Sequence, residues 1–476
     1  MKKCIWSLFV LAMLVACKEE KPVTEETPEQ QKELAATQED LHADMENAII
    51  YEANIRQYSP EGTFAEFTKD IPQLKELGVE VIWLMPIFPI SEKNRKAEGN
   101  LLVEDIKDPE ERKKYLGSYY AVADYEKINP DLGTDEDLQQ LIDTAHENGM
   151  YVILDWVANH TGWDNWWINE HPEYYTKNDA GEVIHPAGTD WTDTADLNYE
   201  NQELRTAMSN AMKYWVSKFN IDGYRCDVAN MVPTDFWNKN NAELREMKPV
   251  FMLAESNQAD LFEEAFDMGY NWGLHHIMND LAQGETDVNE LDEYMMAMDT
   301  TYQKDDYFMN FVTNHDENSW NGSVKERMGN ASEAMLAMSY AVPGMPLIYS
   351  GQEYGMDKRL KFFEKDSIPK QKGKVWESMK KLTELKSNNP ALHGGRNAAD
   401  YQRLETNDDD NIYAFQRSKD GNKIMYVANL SEEPVSVGLM SVSGEFVNVM
   451  TDQPVTLKEN QKVTLAPFEF LLLQPK

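Results

Sequence analysis

From residue 48 onward the chain repeats one pattern, a short apolar run followed by an amphipathic segment, for roughly 330 residues. Few folds accommodate that. Residues 48–51 read as a first strand, and 64–77 as a helix closed by Gly78, a residue suited to a left-handed C-cap. Residues 79–85 read as the next strand and 138–148 as a helix ended by Gly149. Residues 151–157 are apolar almost throughout, as expected of a parallel strand covered on both faces. Further strands are predicted at 221–226, 250–254, 308–312 and 346–349, with a weaker one at 263–268. The alternation fits a closed parallel barrel or an open doubly wound sheet. No GxGxxG or Walker pattern follows any strand, which counts against the nucleotide-binding version.

Two stretches break the rhythm. Residues 160–199 carry Trp163, Trp166, Trp167 and Trp191 among many Asp and Asn, and read as a long insertion after the third strand. Loops of that length are usually functional. From residue 398 the period shortens: 412–415, 424–428, 446–450, 463–465 and 468–473 read as short strands, with Asp420-Gly421 as a hairpin turn. We expect a catalytic-size barrel over 48–397 and a small antiparallel sandwich over 398–476, which a chain of 476 residues accommodates.

The N-terminus is of another kind. Lys2 and Lys3 precede an apolar core from Ile5 to Ala16, too short to span a bilayer, so residues 1–17 read as a signal peptide. Its end, Leu14-Val15-Ala16-Cys17, resembles a bacterial lipobox, which implies cleavage before Cys17 and acylation of that cysteine. Residues 18–47, rich in Glu, Gln, Thr and Lys, read as a solvated acidic tether. The expected location is the outer membrane or cell surface, with a lipid anchor as the only membrane attachment. Of three cysteines, only Cys226 lies in the folded part, which leaves no disulfide framework there and no cysteine-type zinc site. The net charge of −38 repels nucleic acid and anionic polymers and favours a neutral or cationic substrate. The 12 Trp and 22 Tyr suit sugar binding, although most are expected in the core.

Chemistry-bearing residues gather at predicted strand ends: Asp155 and His160 after the third, Arg225 and Asp227 at the fourth, Glu255 at the fifth, His315 and Asp316 after the seventh. In a parallel barrel these ends share one pole, where barrel active sites lie. Convergent carboxylates without a cysteine or lysine nucleophile suggest glycoside cleavage or a metal centre, and no tight His/Asp spacing favours the metal. Glycoside cleavage needs one carboxylate ionised and one protonated. Arg225 lies two residues before Asp227, on the same side of the strand, and is expected to lower the Asp227 pKa; the apolar run before Glu255 is expected to raise that of Glu255.

DWVANH (155–160), GYRCDVAN (223–230), the strand end at Glu255 and FVTNHDEN (311–318) resemble the four signature blocks of the α-amylase family, in the family's order and spacing. Residues 117–134, 195–198 and 346–355 resemble its auxiliary blocks. The resemblance covers roughly 48–476 and implies a (β/α)8 barrel that hydrolyses α-glucans or malto-oligosaccharides with no organic cofactor. It implies Asp227 as nucleophile, Glu255 as general acid/base and Asp316 as the third carboxylate. It further implies Arg225, His160 and His315 around the sugar, Tyr120 stacked on it, and Asp124 and Asp155 as structural acids. Asn159 matches a calcium-binding asparagine, so the resemblance leaves room for one calcium ion.

The match departs from the family where Asn230 and Met231 stand in place of a Lys-His pair after the nucleophile. Asn230 is kept as a substrate contact, with weaker grip on the leaving-group side expected and the Trp-rich insertion as possible compensation. Glycosyl transfer or disaccharide isomerisation on the same fold is the alternative activity. A non-catalytic glucan-binding lipoprotein is the alternative of another class. Nothing in the sequence sets an oligomeric state.

Overall fold

Successive side chains on a strand point to opposite faces, so a strand buried on both sides is apolar throughout unless its inward face does chemistry. The computed structural model describes residues 37–476 apart from 40, 304, 441 and 460; the signal segment and Cys17 lie outside the described residues. In chain order the strands begin β1 (Ile50–Ala53), β2 (Val81–Leu84), β3 (Tyr151–Trp156), β4 (His160–Gly162) and β5 (Thr194–Asp196). There follow β6 (Gly223–Cys226), β7 (Phe251–Ala254), β8 (Met268–Tyr270), β9 (Tyr307–Asn310) and β10 (Met345–Tyr349). All but β4 and β5 are parallel and close into a barrel in the order β1-β10-β9-β8-β7-β6-β3-β2. The closed barrel, not the open sheet, is therefore the fold. β4 and β5 pair antiparallel with each other inside the 160–199 insertion.

The barrel interior is layered. Ile50, Val81, Ile153, Phe251, Met268, Met309 and Met345 fill it with apolar side chains. Two residues further along β1, β3 and β6 the inward positions become Glu52, Asp155 and Arg225, all fully buried. The interior thus changes from oil to ions toward the C-terminal pole. The opposite pole is closed by the N-terminal segment: Leu41 and Met45, four apart on one face of a short helix, pack into the apolar layer. Gln38 hydrogen-bonds both the carbonyl (3.1 Å) and the N–H (3.0 Å) of Val250. The stretch read as tether up to residue 47 is, from residue 37, part of the barrel floor.

Two elements differ from their sequence reading for local reasons. The helix expected over 64–77 is two, Phe64–Thr68 and Ile71–Leu77, because Pro72 lacks an N–H and suits only a first turn. The strand expected at 263–268 begins where that run ends. Phe266 N–H bonds to Leu261 O at 3.0 Å, turning the chain, and β8 pairs only from Met268 onward.

The C-terminal strands are β11 (Asp400–Arg403), β12 (Ile412–Lys419), β13 (Asn422–Asn429), β14 (Val435–Gly438), β15 (Gly444–Asn448), β16 (Gln453–Leu457), β17 (Lys462–Leu465) and β18 (Phe470–Pro475). β11-β12-β13-β18-β15-β16 form one sheet and β14-β17 a second, with Ile412, Val427, Val437 and Leu465 in the core they share. Asp420 and Gly421, with φ of 51° and 80°, make the β12–β13 turn. The domain docks on the barrel through buried Arg417, which donates to the Ala341 and His393 carbonyls at 3.2 and 2.7 Å.

Gly223 decides whether β6 can lie against β7. Its φ is +147°, and a Cβ there would stand 1.8 Å from the Phe251 carbonyl oxygen. Gly223→Ala should therefore cost about 3 kcal/mol or more of stability. Chemical denaturation should show the lowered midpoint; an unchanged midpoint would show that β6 and β7 separate freely.

Candidate active site

At the ionic pole a cavity of about 670 Å³ opens among the loops that follow the barrel strands. Asp227, Glu255 and Asp316 all line it, with Tyr120, His160 and His315. The backbone sets their places: Asp227 N–H bonds to Trp156 O at 2.9 Å and Glu255 N–H to Cys226 O at 3.0 Å, each prolonging the parallel ladder by one residue.

Beneath them lies Arg225, with no exposure at all. Its Nη1 donates to Asp155 Oδ1 at 2.8 Å and to Asp227 Oδ1 at 3.1 Å. Its Nη2 forms an ion pair with Glu255 Oε2 at 2.9 Å without hydrogen-bond alignment, and its Nε donates to the Tyr270 hydroxyl at 3.1 Å. The rings of Trp83, Tyr270 and Tyr120 surround the guanidinium at 5.0 to 5.9 Å. Asp155 also accepts from Trp83 Nε1 (3.1 Å) and the Tyr120 hydroxyl (3.2 Å).

Two further features build the site. Glu52, on β1, holds His315 Nδ1 at 2.5 Å, while His315 Nε2 reaches the Tyr120 hydroxyl at 2.7 Å and Asp316 Oδ2 at 3.3 Å. Val228 has φ of +37°, a strained value for a β-branched residue, and this points its N–H at Glu255 Oε2, 2.7 Å away. Glu52 had a sequence signal, a lone charge in the apolar run 48–53; the Val228 strain had none.

Burial dominates the electrostatics. It pushes Glu255 up to about 7, and neighbouring Asp227 and Asp316 add to the rise while Arg225 opposes it. Asp227 is likewise raised by burial, to about 6, with Arg225 opposing. The expectation that Arg225 would pull Asp227 below its ordinary range therefore fails: one guanidinium shared by three carboxylates does not offset desolvation. The order survives, with Asp227 below Glu255. Burial lowers His160 to about 3, so it is a neutral imidazole. His315 is raised to about 9: burial opposes the charge, but Asp316 and Glu52 outweigh it.

Other sequence-derived candidates lie elsewhere. Asn230 and Met231 are exposed on a turn and do not line the cavity. Asp124 accepts from Glu126 N–H at 3.0 Å and pairs with Lys127, away from the cavity. Trp163 and Trp167 serve the insertion's own packing, Trp163 Nε1 bonding to Thr192 O at 2.9 Å and Trp167 lying tilted against Tyr125 and edge-on to Tyr174. Trp166 projects from the surface. The aromatic walls of the cavity are instead Trp191, Trp320, Phe362 and Phe363. Asn159 is buried, its Nδ2 3.2 Å from His160 Nδ1. Among the described residues no group of three or more His, Cys, Asp or Glu side chains is gathered to hold a metal.

Residues 32–186 and 187–403 match the family model described as Alpha amylase, catalytic domain, and 401–472 match Maltogenic Amylase, C-terminal domain. An α-amylase of Haloarcula japonica is 24% identical over 454 residues; the match takes in 88% of this chain and 61% of the relative, so the chain spans about three fifths of that protein's length. A maltogenic α-amylase of Bacillus acidopullulyticus is 26% identical over 432 residues, 85% of this chain and 69% of its own. Among solved structures, an α-amylase from Lactobacillus plantarum superposes with a TM-score of 0.78 at 31% identity, covering 90% of this chain and 99% of that one. A maltogenic α-amylase from Thermotoga neapolitana gives 0.80 at 28%, with the same coverage. The catalytic-domain match runs through the whole barrel, and the chain belongs to the α-amylase family of glycoside hydrolases.

Proposed function

We propose that this chain cleaves α-1,4-glucosidic bonds of starch-type glucans or malto-oligosaccharides with retention of configuration. The observation that carries the reading is the pair Asp227 and Glu255, held on one guanidinium with Glu255 the more strongly protonated. A binding module has no use for buried carboxylates that are costly to desolvate, which argues against the non-catalytic reading.

On this reading each contact has a part in the reaction. Asp227 Oδ1 is engaged by Arg225, leaving Oδ2 to attack the anomeric carbon. Glu255 Oε2 faces Arg225 and the Val228 N–H, so the proton resides on Oε1 and passes to the departing glycosidic oxygen as the C–O bond breaks. In the second half Glu255 takes a proton from water, the water oxygen bonds to the anomeric carbon, and the Asp227 ester bond breaks. His315, charged, and Asp316 hold sugar hydroxyls; His160 hydrogen-bonds one without adding charge.

Mature protein should release reducing sugar from soluble starch, with the α-anomer first in proton NMR. Asp227→Asn should cut turnover at least about a thousandfold, or roughly 4 kcal/mol. Initial β-anomer, or an Asn variant near wild-type rate, overturns the mechanism.

The pH profile follows from the same groups. Asp227 must be ionised and Glu255 protonated, so kcat/KM should fall below about 6 and above about 7. The Asp316 charge raises both groups. In Asp316→Asn the residual activity should shift both limbs to lower pH; unmoved or alkaline-shifted limbs would refute the coupling.

We infer, separately, that Cys17 anchors the protein by lipid. No helix among the described residues is long and apolar enough to cross a membrane. Wild-type protein should incorporate labelled fatty acid and sediment with membranes, and Cys17→Ser should do neither; unlabelled, freely soluble wild type excludes the anchor.

A further inference from the structure

Trp320 is a large aromatic residue half exposed to solvent, 51%, at the wall of the catalytic cavity. Single exposed apolar side chains are ordinary on a protein surface, so this exposure takes its meaning from where the ring sits. Its position is held firmly. Asp316 leads directly into a π-helical turn, Glu317–Asn321, closed by Gly322 N–H on Glu317 O at 2.9 Å. Such turns are uncommon and concentrate at functional sites. The turn is clamped to the loop after β10: buried Asn318 donates to Lys358 O at 3.0 Å and accepts from Leu360 N–H at 2.8 Å. This fixes Trp320 against Phe362, with ring centroids 4.9 Å apart. Phe362 in turn lies nearly parallel to Tyr120, 12° between planes at 6.5 Å. The three rings run outward from the catalytic carboxylates as one apolar path.

The path has a direction. Trp320 follows β9 and Phe362 follows β10, which in the barrel order lie diametrically opposite β3 and β6. Glu255, the proton donor, follows β7, and the Val228 N–H that holds it follows β6. β7 stands two strands from β9 and three from β10, and the leaving group departs toward Glu255, so the rings flank the side of the cleavage point away from it.

We propose that Trp320 and Phe362 form a platform that binds one further glucose unit of a neutral α-glucan on the non-reducing side of the cleaved bond. The apolar face of a pyranose covers the Trp320 ring, and the rings, already clamped, lose little freedom on binding. The side assigned rests on the α-glucan reading, because Glu255 marks the leaving-group side; the ring platform itself rests on geometry alone.

Binding of maltotriose to the Glu255→Gln protein by calorimetry separates the two. Adding Trp320→Ala should weaken the affinity about tenfold, and Trp320→Phe should restore most of it. In the active background Trp320→Ala should raise KM for maltotetraose about tenfold with kcat within about threefold, and end-labelling should show fewer cuts at the bond that seats a glucose on the platform. Unchanged affinity and unchanged cleavage positions in an enzyme that does hydrolyse starch overturn the platform. Trp320-dependent maltotriose binding in a wild-type protein without hydrolysis upholds the platform and overturns the proposed activity instead.

Discussion

A guanidinium with no contact to solvent is the fixed point of this molecule. Arg225 sits in the barrel where the interior changes from apolar to ionic, and three carboxylates and a tyrosine hydroxyl converge on it. Removing one charged partner from a buried ion pair costs about 3–5 kcal/mol, so none of the three carboxylates is dispensable to the fold's local order. The planar fork matters as much as the charge. Nη1 meets Asp155 and Asp227 while Nη2 meets Glu255, a division an ammonium does not impose.

One cation among so many carboxylates also sets the protonation of the site. Asp155, Asp227 and Glu255 are all raised by burial, to about 6, 6 and 7. The pole is therefore short of positive charge, and it keeps protons to make up the difference. His315 answers part of the shortage. Glu52 and Asp316 keep its imidazole charged, and Tyr120 ties it back to Asp155. The proton needed on Glu255 is thus a consequence of crowding acids around a single arginine, and the strained Val228 N–H selects which oxygen carries it.

Most of that centre is legible in the sequence because parallel strands expose their C-terminal ends at one pole. Asp227, Glu255, Asp316, Arg225 and the two histidines could be placed from strand prediction alone. What escaped has a common cause. The direction of the Asp227 shift depends on three-dimensional crowding, whereas the sequence shows only an arginine two residues away. The break at Pro72 was visible but was outweighed by the apolar period around it. Trp163, Trp166 and Trp167 look like sugar contacts by composition, yet an insertion of about forty residues needs its own small core, and two of them supply it. Trp320 and Phe362, by contrast, lie some forty residues apart on different loops. The Asn318 clamp, helped by Ser323 donating to Asp357 at 2.9 Å, brings them together.

That clamp belongs to a second layer of interactions, which meets the arginine network at Tyr120. Leu116 N–H bonds to Phe363 O at 2.7 Å, and Arg56 donates to the carbonyls of Gly117 (2.9 Å) and Phe362, tying the loop after β2 to the loop after β10. The buried Lys96 ammonium donates to the Asp190 carbonyl, tying the loop after β2 to the insertion. These ties are largely to backbone carbonyls, so they fix where the loops run while leaving the cavity-facing side chains free to vary. Rim aromatics such as Trp320 can therefore be exchanged with little disturbance to the charge balance around Arg225. The separation is physical: the ionic layer is anchored on strands, where a shift of one residue would turn every side chain to the other face, whereas the rim is anchored on loops, where side-chain identity is the variable. The charge balance of the cavity floor is therefore fixed in the first layer, and the shape of its rim is set in the second.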